Sequence, residues 1–99
     1  MTGEVLSEDY TLTLKDVCER CGLSESKVIT YVEESVVAAH GTDVELWRFS
    51  EVCIIQIRKA HRLERDLRLN PAGAALALEL ISHIEDLKLQ LKRFQQPSR

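Results

Sequence analysis

Apolar residues recur at helical spacing along most of this chain, and the breaks in that rhythm mark its elements. In "LTLKDVCERCGLSESKVITYVEES", Leu14, Val17, Cys18 and Cys21 fall at i, i+3, i+4 and i+7, one face of a helix over about residues 14–21. Thr13 with Asp16 three positions on is a capping arrangement: the hydroxyl accepts from an orphan N–H and the acid answers the N–H of the cap. Gly22 suits the left-handed residue after a helix, Leu23 turns inward, and Ser24 can cap a second helix whose apolar side is Val28, Tyr31 and Val32. Two short helices joined so closely predict a helix-turn-helix.

The period then changes. Val36 to Ala39 and Val44 to Phe49 are β-prone and flank "HGTD", which predicts a hairpin wing with Trp47 and Phe49 on the core. Ser50 is the next cap, with Glu51 in the first turn. The helix to about Leu69 is expected to bury Cys53, Ile57, Ala60, Leu63 and Leu67. It leaves Arg58, Arg62 and Arg65 together on another side, where Arg62 is spaced to pair with Asp66.

In "LRLNPAGAALALEL" the pattern stops at Asn70 and Pro71. Asparagine caps and proline suits the first helical position, so the break is a corner between two helices. Ala72 to Ile81 is apolar on nearly all sides, which places Leu76, Leu78, Leu80 and Ile81 beneath the winged helix. From Ala77 onward, Leu80, Ile84, Leu87, Leu91 and Phe94 keep a spacing of three and four for roughly three heptads. A lone helix with one apolar stripe is marginal in water, so a second copy of the chain is expected on this seam. The reading is a mostly α chain: residues 1–69 a winged helix-turn-helix with its long third helix, 70–94 a packing and dimerisation helix of the same domain, 95–99 a flexible tail.

Ninety-nine residues, 44% hydrophobic and 29% charged, make one small soluble domain. The acidic opening "MTGEVLSEDY" lacks the basic and then apolar run of a secretory leader, and no segment is apolar enough for a membrane span. A cytoplasmic location is therefore expected, with the three cysteines reduced and no membrane partner. The net charge of −3 hides an asymmetry: residues 1–50 carry four Lys/Arg against ten Asp/Glu, and residues 51–99 carry nine against six. A nucleic-acid reader collects positive charge on its reading element, and here that half is acidic.

No catalytic constellation is legible. "CERC" (Cys18, Cys21) lacks the second ligand pair of a structural zinc site and the βαβ setting of a redox motif, so both thiols are read as core packing. His40, His61 and His83 are scattered, and no phosphate loop or nucleophile elbow occurs. No enzyme activity, metal or cofactor is expected.

The order of elements resembles the MerR-type winged helix, in "LTLKDVCERCGLSESKVITYVEES" and in "WRFSEVCIIQIRKAHRLERDLRLNPAGAALALEL". Within that superfamily the chain is similar to the CbpM family of chaperone modulators. The likeness lies in Arg62-Leu63, Leu67, Leu69, Gly73, Ala75, Ala77-Leu78, Leu80, Ile84 and Leu87-Lys88. The resemblance implies binding to the J-domain of CbpA, a DnaJ-like co-chaperone, and inhibition of its recruitment of a DnaK-type chaperone. J-domains recruit through a basic helix, so Asp16, Glu19, Glu25, Glu33 and Glu34 are the candidate contacts. DNA-binding MerR regulators carry Arg-Tyr-Tyr in the second helix where this chain has Thr30, Tyr31 and Val32. The alternative, a MerR-like transcription factor, would place the second helix in the major groove and use Arg48, Arg58 and Arg62 on phosphates.

Overall fold

A computed structural model describes residues 9–95. A two-residue strand, β1 (Leu12–Thr13), leads into α1 (Leu14–Cys21) and α2 (Glu25–Glu33). A short 3₁₀ turn (Val44–Leu46) precedes strand β2 (Arg48–Phe49), and α3 (Glu51–Leu67) and α4 (Pro71–Gln95) complete the order.

The first two helices start and stop as their residues dictate. Asp16 donates its N–H to the Thr13 hydroxyl at 3.1 Å and accepts the Thr13 N–H at 2.9 Å. Gly22, at φ 68, closes α1 with its N–H on the Cys18 carbonyl. The Ser24 hydroxyl accepts from Lys27 N–H at 3.1 Å and so caps α2. Val17, Val28, Tyr31, Phe49, Ile54, Ile57 and Ala60 form the fully buried centre, with Leu23 and Trp47 packed at its margin. Apolar burial at about 25 cal/mol per Å² is what holds three short elements on one long helix.

The expected hairpin is replaced by something smaller. Val36 and Val37 are buried in a loop, not a strand, and Val44 to Leu46 wind into the 3₁₀ turn. Only the backbone bridge between His40 and Arg48, two hydrogen bonds of 2.9 Å, closes the wing. β2 pairs instead with β1, antiparallel, Leu12 opposite Phe49. Trp47 packs edge-on against Phe49 at 6.1 Å. The two valines plug the core beside the end of α2, where burial outweighs their strand propensity.

Two further expectations about burial are corrected. Leu67 is 60% exposed, because Arg68 adopts the left-handed conformation and ends α3 there. Leu76, Leu80 and Ile81 are exposed as well, so the greasy start of α4 is not sunk under the domain. α4 meets the core through the buried Ala74 and the half-buried Ala75 and Leu78. The corner itself forms as read: the Asn70 carboxamide accepts the Gly73 N–H at 2.7 Å, and Pro71 is the first residue of α4. Gln95 is still helical, and residues 96–99 of the expected tail lie outside the described residues, as do residues 1–8 of the expected domain.

Candidate functional site

The helix-turn-helix presents α2 as its second helix, and the outer surface of that helix is acidic. Glu25, Glu33 and Glu34 are exposed, and its one cation, Lys27, donates to Glu64 of α3 at 2.7 Å. Tyr31 is fully buried and also donates to Glu64, through its hydroxyl. Burial and the Glu64 carboxylate push the Tyr31 hydroxyl well above its usual range, so it remains a donor. Thr30 turns its hydroxyl back onto the Ser26 carbonyl at 3.0 Å. Neither residue offers a cation to a phosphate.

The five candidate acids do not converge. Asp16 and Glu19 line one shallow hollow with Leu12 and Arg20. Glu25 and Glu33 stand at opposite ends of α2, about 12 Å apart along its axis. Glu34 belongs to a larger open hollow of about 580 Å³ between the end of α2 and α4, with Val36, Ala75, Leu78, Glu79 and His83. Asp16 has structural work already: hydrogen bonds from Thr13 N–H and hydroxyl hold its carboxyl below the usual range and fix it as a cap.

Glu64 was missed in the sequence although a signal was present. It lies seven residues after Ile57 and four after Ala60, on the apolar stripe of α3, where a carboxylate needs partners. Glu79 and His83 carried no signal, since their neighbours across the hollow, Glu34, Ser35 and Val36 after α2 and Gln56 of α3, are distant in sequence.

The candidate cations are divided too. Arg48 lies at the wing and donates to its own neighbour's carbonyl, Trp47, at 2.9 Å. Arg58 reaches across to the Arg20 carbonyl at 2.8 Å, near the end of α1. Arg58 and Arg62 share a hollow that does not include Arg48. The expected Arg62–Asp66 pair does not form, and Asp66 instead meets Arg65 at 3.7 Å. Arg20 is held by Glu51 in a two-pronged pair at 2.9 and 3.3 Å, which lowers the Glu51 carboxyl.

Cys18, Cys21 and Cys53 are free thiols. Burial pushes both Cys18 and Cys21 up, the opposite of an activated thiolate. Among the described residues no three His, Cys, Asp or Glu side chains are grouped to hold a metal ion, and no helix is long and apolar enough to cross a membrane.

α4 carries an exposed apolar stripe. Leu80, Ile84, Leu87, Leu91 and Phe94 are all exposed, Phe94 at 89%. At 100° per residue the stripe centres roughly 150° from the Ala74–Leu78 side that rests on α3, so it faces away from its own domain.

Comparison with known proteins agrees with this architecture. Residues 12–96 match the family model described as "MerR HTH family regulatory protein". A chaperone modulatory protein CbpM of Coxiella burnetii (strain Dugway 5J108-111) is 27% identical over 93 residues, 94% of this chain and 88% of that protein. The protein of the same name from Pseudomonas entomophila is 29% identical over 85 residues, 86% of this chain and 84% of its own, and that of Pseudomonas putida (strain W619) is 28% identical over the same length. With a helix-turn-helix, a reduced wing, a long third helix and a projecting fourth, and a family match across nearly its whole length, the chain belongs to the MerR helix-turn-helix family of regulatory proteins.

Proposed function

We propose that this protein is a chaperone modulator: it binds the J-domain of a DnaJ-like co-chaperone of the CbpA type and blocks recruitment of the DnaK-type chaperone. It acts by binding and not by catalysis, and as a homodimer joined along the α4 seam. The observation that carries the reading is the state of α2. In a DNA-binding relative this helix would meet phosphates, and here it exposes Glu25, Glu33 and Glu34 while Lys27 is neutralised by Glu64. Such a surface repels a polyanion and suits a basic helix, whose encounter it would accelerate at low salt. The names and coverage of the relatives point the same way.

The test is a calorimetric titration of the full chain with a purified cognate J-domain. Binding that weakens as salt rises is expected, and Glu33→Lys with Glu34→Lys should weaken it several-fold, as loss of rim charge does. Absence of heat at low salt would end the reading. Retardation of mixed duplex DNA at low salt would restore the transcription-factor alternative.

A further inference from the structure

Three arginines of this acidic chain surround a small hollow between α3 and the turn of the helix-turn-helix. Its walls are Arg58, His61, Arg62 and Arg65, and its floor is Cys21, Leu23 and Ile57, enclosing about 190 Å³. The four polar walls come from two successive turns of α3, where residues three and four apart share a face. Arg58 is not loose: its bond to the Arg20 carbonyl at 2.8 Å sets the guanidinium at the rim and leaves its other N–H groups to donate.

Most of the chain's own carboxylates near this face are taken, and Glu25, at the start of α2, makes no ion pair with these arginines. Glu51 holds Arg20, Glu64 holds Lys27 and Tyr31, and Asp66 touches Arg65 only at 3.7 Å, at the edge. Among the described residues no ion pair reaches Arg58 or Arg62. Burial raises the Cys21 thiol, which therefore puts no competing negative charge on the floor.

We propose that this hollow is a second docking site, which takes an acidic side chain with an adjacent apolar residue from a partner protein. A space of about 190 Å³ admits one side-chain head, and the half-buried Leu23, with Ile57 buried beneath, suits an apolar neighbour or the stem of a glutamate. Forked guanidinium donors match a carboxylate in two-pronged geometry. Duplex DNA fits worse. Its phosphates repeat about every 1.7 Å along the axis and need an extended basic track, whereas α2, beginning two residues after Leu23, adds Glu25 beside this face. The hollow is built on α3 and shares no lining residue with the acidic surface assigned to the J-domain, which comes nearest to it at Glu25, and the molecule would present opposite charges to two partners.

The test uses the full chain and a short fluorescent peptide of repeated Leu-Glu-Glu, with a Leu-Gln-Gln control, followed by anisotropy. Binding of the glutamate peptide that weakens with salt is expected, with the control and the Arg62→Gln, Arg65→Gln double variant each weaker by roughly fivefold or more. Both substitutions are on exposed side chains, and an unchanged thermal melt checks the fold. Amide shifts on titration should fall at residues 57–65 and at Leu23. The proposal is overturned by equal binding of the two peptides, by no binding at low salt, or by full affinity in the double variant. It is also overturned if inorganic phosphate displaces the peptide at comparable concentration, or if duplex DNA binds more tightly and depends on the same two arginines.

Discussion

Glu64 decides more than any other single side chain how α2 is held. It accepts from Lys27 on one oxygen and from the buried Tyr31 hydroxyl on the other, so removing it strands two donors at once. Glu64→Ala is expected to lower stability by about 2 kcal/mol in urea unfolding, the range for leaving buried partners unsatisfied. Tyr31→Phe, which removes one bond and leaves the Lys27 pair, should cost about 1 kcal/mol. The same network gives a pH signature. Tyr31 in the folded state ionises above its ordinary 10.0, so its contribution is whole below pH 10.0 and is lost as the pH rises further. Unfolding midpoints followed from neutral to strongly alkaline pH should fall more steeply for the native chain than for Tyr31→Phe. The place of Glu64 on the α3 stripe is legible in the sequence, but its partners, 33 and 37 residues away, are not, because only the packing of α2 on α3 brings them together.

Among the elements, those fixed by neighbours in sequence were the readable ones. Thr13 with Asp16, Gly22, Ser24 and the Asn70-Pro71 corner each act within four residues, and each forms as its residues predict. The wing departs from the expected hairpin because β1 is only two residues long and its partners lie 35 and 37 positions away, a pairing no local pattern carries. Two helix ends also use residues that sequence does not advertise. Ser35 and Arg68 take the left-handed conformation at φ 64 and 56, with Val36 N–H on the Tyr31 carbonyl and Leu69 N–H on that of Glu64. Side chains in that region are strained by about 1–2 kcal/mol, part of which glycine would return as lost chain entropy. Arg68→Gly is therefore expected to raise the unfolding free energy by about 0.5 kcal/mol, measured by urea denaturation. An unchanged or lower value would show that Arg68 makes compensating contacts.

At the scale of the molecule, the radius of gyration is 16.0 Å, against about 13 Å for a compact chain of this length. The excess belongs to α4, most of whose length stands clear of the core. The heptad spacing of that helix was legible; the fact that Leu76, Leu80 and Ile81 are also uncovered was not, because a continuous apolar run reads the same whether its own domain or another chain covers it. Leu87→Lys or Leu91→Lys is expected to convert the proposed dimer to monomer in sedimentation velocity, since a charge is poorly solvated in a closed seam. An unchanged sedimentation coefficient would place the contact elsewhere. The corner at Asn70 then acquires a different meaning. Capped by its own carboxamide and followed by proline, it is a rigid joint, and α4 extends about 37 Å beyond it. In a dimer closed antiparallel along this helix, with the heads at opposite ends, its length would be a ruler: removing one heptad would draw the two heads nearer by about 10 Å and turn them only slightly. Under the proposed function, the number of turns of this one helix would then set the spacing at which two J-domains are engaged together.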